Sequence, residues 1–148
     1  MEAQKSYLVT FPNSLKFDSL KDMNKLYKVS LHLMATLYML AGLNHFLRPD
    51  NYLKIIPPYI PAHELMNILA GIAEIVLGLG LHFRVSRVWS AWGIIAMLIA
   101  FLPVHIYFVQ VDSCIDESIC LPPWTGWVRL LIIHPLLIGW AYLYCRKI

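Results

Sequence analysis

The 148-residue chain is 59% hydrophobic and 14% charged, whereas soluble domains run at about 45–50% apolar and 25% charged. That composition excludes an ordinary soluble domain and predicts an integral membrane protein. The formal charge of +3 comes with no basic groove or stacking motif, so no nucleic-acid partner is expected.

Residues 1–28 contain no apolar h-region and do not read as a signal peptide. Phe17, Leu20, Met23 and Leu26 recur at helical spacing between lysines. This predicts a short amphipathic helix on the inner membrane surface, or else a solvated lead-in. Four apolar runs follow, at residues 29–47, 65–81, 88–109 and 124–145. Each is close to the roughly 20 residues that a membrane helix needs. The expected organisation is a cytoplasmic segment, 1–28, and a single membrane domain, 29–148, folded as an all-α, up-down four-helix bundle.

Basic residues set the expected orientation. Lys5, Lys16, Lys21, Lys25, Lys28, Arg84, Arg87, Arg146 and Lys147 fall on one side. Of the loops on the other side, the first has Arg48 and Lys54 and the second has no basic residue. The positive-inside rule then places both termini in the cytoplasm and the two longer loops outside. The first of these, residues 48–63, carries Pro49, Pro57, Pro58 and Pro61 among Tyr52, Tyr59 and aliphatic side chains. It is expected to cap the outer mouth of the bundle. The second carries Cys114 and Cys120, for which a disulfide is the default on an oxidising face.

Glu74 is the most informative position. It lies within the second span, roughly 13 Å from one end and roughly 10 Å from the other at about 1.5 Å per residue. A carboxylate at mid-depth costs about 3 kcal/mol on insertion scales, so it must face protein or water and find a partner. One reading is a protonated glutamic acid that joins two helices. The other is a proton relay, a quinone site or a coordination site. Asn44, His45, His105, Arg129 and His134 sit in the same half of their spans and converge on a candidate cavity. They come from separate spans with no paired-ligand spacing, so no metal site is expected. Ala70, Gly71, Ala73, Gly78 and Gly80 give the second span small-residue spacing for close helix approach, which predicts that it is the central, most buried helix.

The strings AGLNHFLRPDNYLKIIPPYIP, GIAEIVLGLGL and WSAWGIIAMLIAFLPVHIY resemble the DoxX-like family of four-helix membrane proteins. The matching positions are His45, Phe46, Pro49, Tyr52, Pro57, Pro58, Pro61, Gly71, Glu74 and Pro103, and the resemblance covers roughly residues 29–145. The chain departs from the family's pattern at His105 and in the last span, which reads RLLIIHP. The resemblance implies a bacterial inner-membrane, redox-associated subunit that binds a quinone or a small sulfur compound in an outward-facing polar pocket. Glu74 and His45 would be the catalytic residues, with Glu74 handling protons; the histidines would hydrogen-bond carbonyl oxygens, Arg129 would hold an anion, and Asn44, Tyr52, His105, Arg129 and His134 would bind the ligand. Beyond the lipid bilayer, the expected partner is another redox subunit or a second copy. The rival from another class is a non-catalytic accessory or assembly protein, and the third reading is a small proton-coupled transporter.

Overall fold

The computed structural model describes residues 13–116 and 119–146, with side chains placed for 22–115 and 119–146. In chain order the elements are α1 (Asn13–Leu47), α2 (Pro49–Leu53), α3 (His63–His82), α4 (Arg87–Ala100) and α5 (Leu102–Gln110), followed by a two-stranded antiparallel hairpin, β1 (Cys114–Asp116) and β2 (Ile119–Cys120). The chain then continues through α6 (Trp124–Val128), a π-helical turn π1 (Arg129–Ile133) and α7 (His134–Tyr142). Among the described residues three helical stretches are long and apolar enough to cross a membrane: Asp22–Leu47, His63–His82 and Arg87–Gln110. Residues 124–142 are also helical, but π1 divides them.

The stretch 17–28, expected as an amphipathic helix or a solvated lead-in, is helical and falls within α1. Its side chains up to residue 21 lie outside the described set. The chain divides into two units between Ser30 and Leu31; the second unit holds everything that follows.

Two of the breaks have direct causes. Pro103 has no N–H for the preceding turn, and the helix tightens at Phe101, where one carbonyl accepts from both Val104 and His105. Asp112 and Ser113 adopt left-handed backbone, at φ 53° and 61°, turning the chain from α5 into the hairpin. The buried Ser113 hydroxyl secures that turn: it donates to Pro123 O at 3.3 Å and accepts from Gly126 N at 3.0 Å. Cys114 and Cys120 are opposed in the hairpin register and joined by a disulfide.

Helix α3 buries a single stripe of Asn67, Gly71, Glu74, Gly78 and Leu81. Glycine is what lets α1 lie against that stripe. A Cβ on Gly71 would fall 2.8 Å from His45 Cβ, and one on Gly78 would fall 2.8 Å from Ala35 O. Yet α3 is no more buried than the other candidate spans, although its small residues predict that it would be. Each of the three candidate spans buries the same 28% of its most apolar window and turns its other faces outward. Those faces carry Leu40, Leu43, Ile68, Ile72, Val76 and Leu79, all exposed, as lipid-facing helices do.

Candidate functional site

The close approach of Gly42 and Gly71 sets the site. A Cβ on Gly42 would stand 2.6 Å from Gly71 O and 2.9 Å from Glu74 Cβ, so only glycine lets His45 on α1 come beside Glu74 on α3. His45, Asn67 and Glu74 are all buried, at 6%, 5% and 7% exposure. Asn67 Nδ2 donates to the His45 carbonyl at 3.1 Å, which fixes the amide, since a carbonyl oxygen can only accept. Asn67 Oδ1 therefore faces His45 Nδ1 at 2.7 Å and accepts its proton.

The imidazole tautomer follows. With Nδ1 protonated, Nε2 is the titrating nitrogen, and it points at Glu74 Oε2 across 3.5 Å. That separation is too long and poorly aligned for a hydrogen bond, and Oε2 has no other partner among the described residues. Acid and imidazole thus face each other across a gap that no hydrogen bond closes. Tyr52 lies over the other side of the ring, stacked at 3.6 Å between centroids and 26° between planes. Asn44 Nδ2 donates to the Tyr52 hydroxyl at 2.8 Å and holds that tyrosine in place.

A second group comes from α5 and π1. Five residues on an ideal α-helix separate two side chains by about 140°, but a π turn closes on the fifth residue and returns them to one face. Arg129 and His134 are five apart across π1; Arg129 lines the cavity with His105, and His134 touches His105. His134 packs edge-on to His105, with centroids 4.7 Å apart at 65°. The Arg129 guanidinium lies 5.1 Å over the Phe108 ring and pairs with no carboxylate among the described residues. It does not reach Glu74.

Both groups face a cavity of about 540 Å³, within the usual range for small-ligand sites. Its walls are mostly aliphatic. The polar lining comes from Tyr38, His45, Tyr52, Asn67, Glu74, His105 and Arg129, and Ile55, Ile56 and Ile60 of the proline-rich loop add apolar surface. His63 Nε2 donates to Pro57 O at 3.2 Å and secures that loop. Four buried polar atoms have no hydrogen-bond partner among the described residues: Tyr38 Oη, Glu74 Oε2 and His105 Nδ1 belong to wall residues, and His134 Nε2 to the histidine behind them. Orphaned groups of this kind are costly and point to an occupant that satisfies them.

Of the seven residues that sequence reasoning singled out for chemistry, Glu74, His45, Tyr52, His105 and Arg129 line the cavity. Asn44 and His134 do not; they support Tyr52 and His105 from behind. Tyr38 and Asn67 were missed. The signal available was spacing: each lies seven residues before a key group, Tyr38 before His45 and Asn67 before Glu74, and so shares its helix face. His32 and His82 are apart from this site, with their Nδ1 atoms 2.9 Å from each other.

The model of a family described as Domain of unknown function (DUF8561) matches residues 34–145. The chain belongs to that family. The matched stretch contains every one of the seven polar groups on the cavity wall. No curated protein and no solved structure matches the chain.

Proposed function

We propose that this protein is a DoxX-like, redox-associated membrane subunit that binds a quinone or a small sulfur compound in the cavity beside Glu74. Residues 124–142 form the fourth span of an up-down bundle in a bacterial inner membrane, both termini are cytoplasmic, and the cavity lies in the outer half. The ligand serves a partner redox subunit or a second copy of the chain.

One observation carries this reading: an acid and an imidazole face each other across 3.5 Å at the wall of an apolar cavity where Tyr38 Oη, Glu74 Oε2 and His105 Nδ1 have no hydrogen-bond partner among the described residues. The residues fit a quinone. Its ring oxygens accept hydrogen bonds, and Tyr38 Oη and the Arg129 guanidinium are donors at the cavity wall. A bound quinone supplies two-electron, two-proton chemistry at those oxygens. The chain's part is to hold one proton between Glu74 Oε2 and His45 Nε2, to keep the imidazole in one tautomer through Asn67, and to exclude water with the isoleucine-lined loop.

The rival reading, an accessory protein whose polar groups only fix packing, draws on the two Asn67–His45 bonds that tie α3 to α1. Glu74→Gln separates the two, because glutamine keeps the shape and a donor but carries no exchangeable carboxyl proton. The purified parent is expected to show a co-purifying quinone or chromophore in its ultraviolet-visible spectrum and solvent extract. The variant should unfold at the parent's temperature and lose that ligand. A parent with no bound compound, or a variant that retains ligand and complements a deletion strain fully, overturns the proposal.

A further inference from the structure

The open space in this fold follows a helix seam. Helices α3 and α4 are closed at the end where α3 finishes: a Cβ on Gly93 would meet Leu77 Cδ2 at 2.5 Å. Further along, the same two faces part. Met66, Ala70 and Ala73 follow i, i+4, i+7 spacing on α3; Met97, Ala100 and Val104 follow i, i+3, i+7 along α4 and α5. All six line the cavity. Small residues at a membrane-helix seam usually let backbones meet. Here Ala70, Ala73 and Ala100 border open space instead.

That space reaches the outer surface. Leu69 lines the cavity and is still 50% exposed, and Ala100 is both lining and exposed. The exposed residues at the rim are themselves apolar, Leu69 on α3 and Ala100 on α4. At the loop end the lining is Ile55, Ile56 and Ile60. A water-borne anion would meet hydrocarbon on both approaches, whereas a membrane-dissolved molecule would meet its own solvent.

We propose that the α3/α4–α5 seam is a portal from the bilayer, and that the ligand is an amphiphile with a long isoprenoid tail and a quinone head. The inference rests on the function proposed above and selects the quinone over the small sulfur compound. The tail lies in the alanine-lined seam, and the head reaches Tyr38, Glu74, His105 and Arg129.

The test uses the full chain in quinone-free lipid nanodiscs, with three probes: a long-tailed ubiquinone, its tail-less head-group analogue, and thiosulfate. The parent should bind the long-tailed form at least about tenfold tighter than the analogue, as expected when a tail adds buried apolar contact. Ala70→Trp and Ala100→Trp should weaken the long-tailed form by about tenfold or more and shift the analogue by less than about twofold, because they fill the seam and not the head site. Where either fails to fold, Ala70→Leu or Ala100→Leu is read instead. Ile72→Trp adds the same bulk to α3 on an outward face that does not line the cavity, and should change neither. Equal binding of both quinones, or portal variants that bind the long-tailed form normally, overturns the portal and leaves the cavity reading standing. Binding of thiosulfate but neither quinone does the same. A parent that binds none of the three overturns both proposals.

Discussion

Gly42→Ala tests the contact on which the site is built. The new Cβ would stand 2.6 Å from Gly71 O and 2.9 Å from Glu74 Cβ, where ordinary contact begins at 3.4 Å. Neither obstacle is the far end of a flexible side chain, so no rotamer change relieves the clash and the two helices must part by about 0.8 Å. Overpacking costs about 1–3 kcal/mol, and an immovable carbonyl puts this case near the upper end. Alanine returns about 1 kcal/mol of helix propensity, leaving a net loss of about 2 kcal/mol. Gly139 supplies the control, since a Cβ there meets nothing within 4 Å. Gly139→Ala should gain up to about 1 kcal/mol from propensity alone. Both are read by denaturant unfolding in one detergent, alongside ligand retention. A Gly42→Ala protein as stable as the parent, or more stable than Gly139→Ala, would refute the argument that backbone contact between α1 and α3 forms the site.

Asn67→Leu removes both bonds to His45 and should cost about 1–3 kcal/mol; ¹⁵N shifts of His45 should move from an Nδ1-protonated pattern to a tautomer mixture, and an unchanged pattern would contradict the assigned clamp. Replacing Cys114 and Cys120 by serine should cost about 2–3 kcal/mol, the loop-closure entropy of so short a ring. Thiol labelling in native membranes checks the bond, and two reactive outer thiols would disprove it. Reporter fusions at Ile148 and Ser113 should report opposite sides of the membrane, with the former cytoplasmic; an exported C-terminal fusion would reverse the proposed orientation.

The apolar runs were legible from sequence because membrane-crossing length and continuous hydrophobicity are local properties. Glu74 stood out for the same reason: a carboxyl inside a long apolar run is anomalous whatever surrounds it. The positions of Cys114 and Cys120 were also readable, since a hairpin brings nearby residues together without help from the rest of the chain. Which groups meet across helices was not local. Tyr38 and Asn67 looked like ordinary span residues, and only the Gly42–Gly71 contact sets the rotation of α1 on α3 that brings Asn67 onto His45. The fourth apolar run read as one continuous helix, because no pattern of single residues announces a π turn. The added residue at π1 rotates Arg129 onto the face of His134, so Arg129 reaches the cavity wall while His134 stands behind His105. The alanines of the second span signalled tight packing to a sequence reading. Tertiary structure decided otherwise, because a small residue closes a seam only where the opposing helix comes near enough, and Ala70, Ala73 and Ala100 line the cavity instead.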